Sequence, residues 1–174
     1  QECDFVVVLY HGGKEHYRYP SPQLQKVCRK IADKGADLVV CQHSHCVGCM
    51  ERYGDSVLVY GQGNFLFDHS ESEFWQTSLL VKASFGSQMD VSFLPLRKHG
   101  NTVRLAEGNG GAQILSDFEE RTREITQPGK IAELYQAFCM ENGAWYLYAL
   151  AGGEANLGIP FTDFKPQYDR DSLL

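Results

Sequence analysis

Two short apolar runs, each followed closely by histidine, constrain the fold of this chain more than any other feature of its sequence. Residues 5–10 are a continuous run of apolar residues, most of them β-branched or aromatic, and His11 follows at once. Residues 38–41 form a second run, with His43 and His45 just beyond it. Uninterrupted apolar runs of this length are typical of strands buried on both faces of a parallel sheet. We therefore expect two buried strands whose ends carry histidines.

The segment between the two runs has the signals of a helix. Ser21 precedes Pro22, a pair that favours an N-cap followed by the first helical residue. Apolar residues then recur at helical spacing as far as Ile31, and Gly35 provides a C-terminal stop. The order strand, helix, strand predicts a right-handed crossover that joins two parallel strands.

The carboxyl ends of these two strands form the candidate site. Loops that follow parallel strands lie at the same edge of the sheet, where the ligand sites of open α/β sheets are found. If the strands are neighbours about 5 Å apart, imidazoles from His11 and His43 can reach one metal ion. His43 and His45 are two residues apart, so in an extended segment their side chains point to the same side. The pattern predicts a histidine metal site.

The remainder of the chain predicts a mixed architecture. Residues 56–60 are expected to form another strand, which leads into two glycines at 61 and 63 where backbone packs closely against a neighbour. Residues 154–174 are expected to pack as irregular chain. Between the glycines at 61 and 63 and this tail, the sequence predicts an antiparallel hairpin over 77–96, a short strand over 103–105, and helices over 112–125 and 129–151.

Composition narrows the class of protein. The 174 residues are 43% hydrophobic and 22% charged, which is ordinary for a soluble globular domain with a real core. A formal net charge of −6 and the lack of a basic run argue against a nucleic-acid partner. The sequence contains no signal peptide and no apolar stretch long enough for a membrane helix. Because a core strand begins almost at Gln1, we expect the gene product to extend upstream of it, with any signal or anchor there.

The cysteines offer a competing interpretation. Cys41, Cys46 and Cys49 have a C-x4-C-x2-C spacing, which is similar to that of iron–sulfur ligands. The alternative is that Cys41 ends a buried strand and the other two are loop thiols. Cys28 and Cys139 lie in expected helices and are interpreted as small buried hydrophobic residues. Six cysteines are too few for a disulfide scaffold, which favours a reducing, cytoplasmic compartment.

Three blocks of the sequence resemble a known family. They read His-Gly-Gly-Lys-Glu at 11–15, Gly-Ala-Asp-Leu-Val-Val-Cys-Gln-His-Ser-His-Cys-Val at 35–47, and Tyr-Gly-Gln-Gly-Asn-Phe at 60–65. In this order the blocks resemble the bacterial capsule-synthesis proteins of the CapA type, which are associated with poly-γ-glutamate. Gly12 stands where the family pattern has Trp, and Ser44 stands where it has Pro.

The resemblance implies a fold and a domain organisation. The fold is α/β, a calcineurin-like metallophosphoesterase type of mixed β-sandwich with flanking helices, here lacking its N-terminal portion. Residues 1–106 would be the C-terminal part of that domain. Residues 107–174 would be a helical C-terminal extension packed on the same domain. The Asp, Asn and His ligands of the family's N-terminal half are not found in this sequence.

The resemblance also implies site residues. His11, His43, His45 and Glu15 are the implied metal ligands, and His11 and His43 are also the candidate catalytic groups. Glu15 has two alternatives, a residue that orients a ligand or a salt-bridge partner. Asn64 is a candidate substrate-binding residue, with a turn residue as the alternative. The implied cofactor is one or two divalent metal ions of the kind Mn, Zn, Fe or Mg.

Two functions from different classes follow. The first is a metal-dependent hydrolase of a phosphoester or an anionic envelope polymer, in which a metal-activated water attacks. The alternative is a non-catalytic binding or assembly component that works with other capsule-synthesis proteins. The envelope setting of the family and the free cysteines favour opposite compartments, so localisation stays open. Of the other histidines, His16 is expected to be a loop residue, and His69 and His99 are expected to be solvated in polar loops.

Overall fold

The structure, a computed structural model, describes residues 3–67 and 72–166 and contains two β-sheets. The first sheet has the strand order β1-β2-β4-β3. β1 pairs with β2 and β2 with β4 in parallel, whereas β3 is antiparallel to β4. Its strands are β1 (Val7–His11), β2 (Leu38–Gln42), β3 (Met50–Tyr53) and β4 (Ser56–Val59), and helix α1 (Pro22–Ala32) joins the first two.

The second sheet is an antiparallel meander that follows a short 3-10 turn, Glu73–Trp75. Its order is β5-β6-β7, as the hairpin and third-strand signals predict. The helices lie after it. The elements are β5 (Thr77–Phe85), β6 (Met89–His99), β7 (Thr102–Leu105), α2 (Gly108–Glu124), α3 (Lys130–Leu150), α4 (Gly153–Leu157) and a 3-10 turn, Phe161–Asp163.

The two sheets pack face to face, and α1 covers the outer face of the first sheet. Leu38, Val40, Val57 and Val59 on one face of the first sheet contact apolar residues of the β5–β6 hairpin. The opposite face packs against α1 through a second apolar cluster. Alternate residues of β2 therefore serve different layers, and a mixed α/β fold with a β-sandwich core is confirmed.

Helix α1 begins where its sequence signals place it. The Ser21 side chain accepts a hydrogen bond from the Leu24 backbone N–H at 3.1 Å, and Pro22 opens the first turn. Gly35 has φ 97°, the left-handed conformation that suits glycine after a helix end. The crossover returns the chain to β2 beside β1, so the predicted strand–helix–strand unit is confirmed.

β1 is not buried on both faces, and that prediction is wrong. Val7 and Leu9 are 44% and 70% exposed, while Val8 and Tyr10 pack on the cluster beneath α1. β1 lies at the edge of its sheet, and the cluster between the sheets is built from residues of β2 and β4. An apolar run identifies the strand but not its position in the sheet, because edge and central strands can have the same composition.

β3 was not anticipated from the sequence. Its residues pair with β4 across a two-residue Gly54-Asp55 turn, with φ 58° at Gly54. A Gly-Asp pair between two short runs is a recognised hairpin signal. The run Met50–Tyr53 is only half apolar, so the turn was the stronger evidence.

The chain divides into two compact units, Gln1–Ile131 and Ala132–Leu174. The boundary predicted at 106/107, and the packing of a C-terminal extension on the same domain, stay predictions. None of the described helices is long and apolar enough to cross a membrane.

The second unit contains an aromatic cluster that includes Tyr148. Its hydroxyl donates to the Ile159 carbonyl at 2.8 Å, and its ring lies 5.4 Å from that of Phe161 and 5.3 Å from that of Phe164. The irregular chain expected after 154 is wrong for α4 and for the 3-10 turn. Residues 167–174 lie outside the described part of the chain.

Candidate functional site

The ends of β1 and β2 bring the predicted histidines together. His11 is the last residue of β1 and is in register with Gln42, and His43 follows Gln42 directly. The ring centres of His11 and His43 are 5.0 Å apart. The prediction that parallel strand ends would meet at one edge is confirmed.

The backbone around His43 is left-handed, not extended. His43 has φ 98° and His45 has φ 58°, and their ring centres are 6.1 Å apart. His16 also has φ 58°, and among the described residues these three are the non-glycine positions with positive φ. Such conformations cost roughly 1–3 kcal/mol each and persist only where the surroundings enforce them. The expected extended geometry is wrong, although the rings do lie together.

Asn64 fixes the orientation of His45. Its Nδ2 donates to the backbone carbonyls of His45 at 3.1 Å and Phe74 at 3.5 Å, so its Oδ1 is the atom that faces the ring. That oxygen lies 2.8 Å from His45 Nδ1, which must therefore carry the proton. In the neutral imidazole with this tautomer, Nε2 is the nitrogen that can act as a ligand or a base. Asn64 is 7% exposed, and its predicted contact with substrate stays a prediction.

Three aromatic side chains contact the histidine cluster. The Trp75 ring centre lies 4.5 Å from that of His45, and the Phe67 ring centre lies 5.1 Å from it. Phe74 stacks on His16 with 4.9 Å between ring centres and 13° between planes. These rings place apolar surface beside the imidazoles of His45 and His16.

His16 is the residue of this cluster that the sequence did not identify. Its ring centre lies 6.5 Å from that of His45, and its backbone N–H donates to the Ser44 carbonyl at 2.8 Å. The prediction that His16 is a loop residue is confirmed, since it lies in a turn and is exposed, but the prediction did not include its contact with this cluster. Its aromatic neighbours come from a segment almost 60 residues later, so no local pattern could have shown the contact. His99 is exposed as expected, but the predicted loop position is wrong because it is the last residue of β6. His69 lies outside the described residues.

Residues 60–64 after β4, here called the glycine loop, pack closely against residues 43–49 after β2, here called the histidine loop. A Cβ at Gly61 would lie 2.8 Å from the Cys46 carbonyl oxygen, and one at Gly63 would lie 2.6 Å from the Thr77 carbonyl oxygen. Both distances are shorter than a side chain allows, so the predicted close backbone approach is confirmed. The loop places Asn64 against His45.

A partly buried hydrogen-bond network holds the start of that loop. The Tyr60 hydroxyl donates to Glu51 Oε2 at 2.6 Å, and Gln25 Nε2 donates to the same oxygen at 3.0 Å. Arg29 donates to the other oxygen through Nε at 2.9 Å and also through its Nη2. The Tyr60 ring is almost fully buried, so Glu51 is the partner that satisfies its hydroxyl.

The cysteines lie beneath the site. Cys28 and Cys41 have sulfur atoms 3.4 Å apart in the core, and Cys46 and Cys49 are also buried free thiols. Burial raises the pKa of the Cys46 and Cys49 thiols, which keeps both protonated and apolar at neutral pH. These thiols act as packing residues, and a cysteine-based cluster gains no support.

A metal ion can be tested against these donors. Two imidazoles on one tetrahedral ion, with bonds of about 2.0–2.1 Å, have ring centres roughly 5 Å apart, which is the separation of His11 and His43. Glu15 is exposed and makes no ion pair within the part of the chain that is described. No group of three or more His, Cys, Asp or Glu among the described residues is arranged to hold an ion. The fit therefore extends to two imidazoles and includes no carboxylate.

The fold and site define a mixed α/β protein with a strained histidine cluster at the carboxyl edge of a parallel sheet. Residues 1–69 match the family of the bacterial capsule synthesis protein PGA_cap. The predicted resemblance to capsule-synthesis proteins is confirmed over that part of the chain, which contains His11, His43, His45 and Asn64.

Two curated relatives support this match. The PGA biosynthesis protein CapA of Bacillus subtilis (strain 168) is 37% identical over 68 residues, which are 39% of this chain and 18% of the relative. The capsule biosynthesis protein CapA of Bacillus anthracis is 37% identical over 66 residues, which are 38% of this chain and 16% of the relative. The aligned part thus spans less than a fifth of either relative.

Proposed function

We propose that this chain supplies the histidine half of a metal-dependent, phosphoesterase-like hydrolytic site in a protein of capsule or poly-γ-glutamate biosynthesis. The observation that carries the proposal is the cluster of His11, His43 and His45, in which two residues are held in strained left-handed backbone. Strain of this kind is retained where a side chain must be aimed. Homology to CapA proteins supplies the biological context.

His11 and His43 are the proposed ligands of a divalent ion, which would supply Lewis acidity and lower the pKa of a bound water. His45 contributes its Nε2 atom, because Asn64 holds the proton on Nδ1. Trp75 and Phe67 contact the ring of His45 and place apolar surface beside it. The remaining acidic ligands would come from outside the described residues.

A second candidate is a binding or assembly component without catalysis. It is favoured by one observation, that the described residues place no carboxylate with the imidazoles in a metal-holding group. Both candidates predict an anionic polymer or phosphoester as the partner. They differ in whether bond cleavage follows binding.

The test measures binding of Mn²⁺ and Zn²⁺ to the full chain by calorimetry, alongside hydrolysis of a generic phosphodiester. We expect ion binding that disappears in a His11→Ala/His43→Ala variant and persists in His99→Ala, an exposed histidine of β6. Equal binding by all three proteins would refute the metal site. Binding without hydrolysis would favour the assembly component.

A further inference from the structure

A second cavity, separate from the histidine rings, lies between α2 and the second sheet. Its volume is about 490 Å³, within the range of pockets that hold small ligands. Three of the six charged and amide side chains in its lining are arginines. The charged and amide side chains that line it are Arg18, Arg97, Arg121, Asp117, Gln76 and Gln113.

The lining carries an excess of positive charge. Three guanidinium groups face one carboxylate, a formal charge of +2 in a protein whose net charge is −6. Asp117 is itself engaged, because its Oδ1 accepts a hydrogen bond from Gln113 at 2.6 Å. A concentration of positive charge on an acidic protein attracts anions to that place.

Arg121 holds its charge in a partly buried position without a carboxylate partner. Its Nε donates to the Gly48 carbonyl at 2.9 Å, and its Nη2 donates to the Val47 carbonyl at 3.2 Å. Burial, followed by the nearby charge of Arg18, lowers the pKa of Arg121. Among the described residues neither Arg121 nor Arg97 forms an ion pair. An anion in the cavity would offset the cost of burying the Arg121 charge and would reduce the repulsion between Arg121 and Arg18.

Arg97 has a like charge directly beside it. In the β6–β7 ladder it is paired with Arg104, so both side chains leave the same face of the sheet. Like charges at directly opposed positions are destabilising. A bound anion between them or next to them offsets that repulsion.

The cavity adjoins the histidine site. The guanidinium carbon of Arg18 lies 4.6 Å from the ring centre of Phe74, and that ring stacks on His16. Arg18 also donates to the Val47 carbonyl, two residues beyond His45. A long anionic ligand could therefore contact the arginines while another part of it reaches the imidazoles.

We propose that the cavity of Arg18, Arg97 and Arg121 is an oxyanion-binding site that takes a carboxylate or phosphate group of an extended anionic ligand. Guanidinium groups match both oxyanions with paired, charge-assisted hydrogen bonds. The link to a polymer substrate rests on the proposed function, whereas the oxyanion site does not. The two sources of the group are a chain of γ-linked glutamates and inorganic phosphate.

The experiment titrates the full chain with tri-γ-glutamate and, separately, with inorganic phosphate, using calorimetry at low ionic strength. Arg97→Gln is the decisive variant, because Arg97 is exposed and its loss leaves the carbonyl contacts of Arg121 intact. We expect about tenfold weaker binding, since charge-assisted hydrogen bonds of this kind carry a factor of ten or more. Arg52→Gln, an exposed arginine of β3, removes the same charge elsewhere and should stay within twofold of the parent.

The outcomes separate the site from its ligand and from the histidines. Binding of both ligands with the same dependence on Arg97 supports the proposal. Binding of phosphate alone keeps the site and overturns the polymer as its ligand. No binding of either, or equal loss in Arg97→Gln and Arg52→Gln, overturns the site. Inorganic phosphate is too small to contact the arginines and the imidazoles together, so in metal-free buffer the His11→Ala/His43→Ala variant should bind phosphate as the parent does. Failure of the hydrolytic proposal would leave that result unchanged.

Discussion

The left-handed backbone at His43 gives a prediction whose sign is unusual. His43→Ala and His43→Gly both remove the imidazole, so the difference between them isolates the backbone. At φ 98° a side chain with Cβ costs about 1–2 kcal/mol relative to glycine. Glycine gives back roughly 0.5–1 kcal/mol through its larger unfolded-state entropy. We expect the Gly variant to be more stable than the Ala variant by about 1 kcal/mol.

Two other positions calibrate that value within the same protein. Gly35 has φ 97°, and a Cβ built there meets nothing within 4 Å, so Gly35→Ala measures the conformational cost alone. Ala112 is exposed in the interior of α2, where Ala112→Gly should instead destabilise by about 1 kcal/mol. The Ala and Gly preference should therefore reverse between positions 43 and 112.

The assay is urea denaturation followed by circular dichroism, with free energies of unfolding compared at a common slope. Thermal melts should separate the two variants at position 43 by about 2–4 °C, as expected for a chain of this size. If Gly35→Ala shows its penalty while His43→Ala is as stable as His43→Gly, position 43 is not strained. The histidine loop would then not be held in a costly conformation.

Two further predictions concern the layer beneath the site. Glu51→Ala should lower the free energy of unfolding, measured in urea, by about 1–3 kcal/mol because the buried Tyr60 hydroxyl loses its acceptor. Glu51→Gln keeps an acceptor and should cost less. Equal losses in the two variants would contradict this. Burial raises the pKa of the Cys49 thiol in the folded state above its unfolded-state value of about 8.5. The neutral thiol therefore contributes fully to stability below the unfolded-state pKa, and this contribution is lost as the pH rises from there through the folded-state pKa. Thermal melts from about pH 8 to 10.5 should therefore show falling stability, with a shallower slope in Cys49→Ala than in the parent protein.

The sequence was sufficient to place the histidines because their positions follow from topology. Two apolar runs joined by a capped helix lead to neighbouring parallel strands, and the ends of such strands meet at one edge. His11 and His43 therefore came together as predicted. The glycine loop was also predictable, since paired glycines after a strand indicate close approach of backbone.

Other features depend on contacts between distant segments, which local patterns do not contain. His16 joins the site through Phe74, and the arginine cavity combines loop, strand and helix residues. The exposure of β1 depends on which strands the second sheet covers. The left-handed conformation of His43 and His45 was not predicted because histidine, although enriched at positive φ among non-glycine residues, is a weaker signal for it than glycine.

The edge position of β1 has a consequence for how the protein behaves in solution. Within the described residues β1 pairs with β2 alone, and it presents Leu9 and Val7 to solvent beside unpaired backbone groups. A strand of this kind is a template for intermolecular pairing, so turbidity should rise with concentration before any unfolding is seen. Amides on the open side of β1 should exchange with deuterium early, and those of β2, hydrogen-bonded to strands on both sides, late. Leu9→Lys should slow self-association without altering the amide hydrogen exchange of β2.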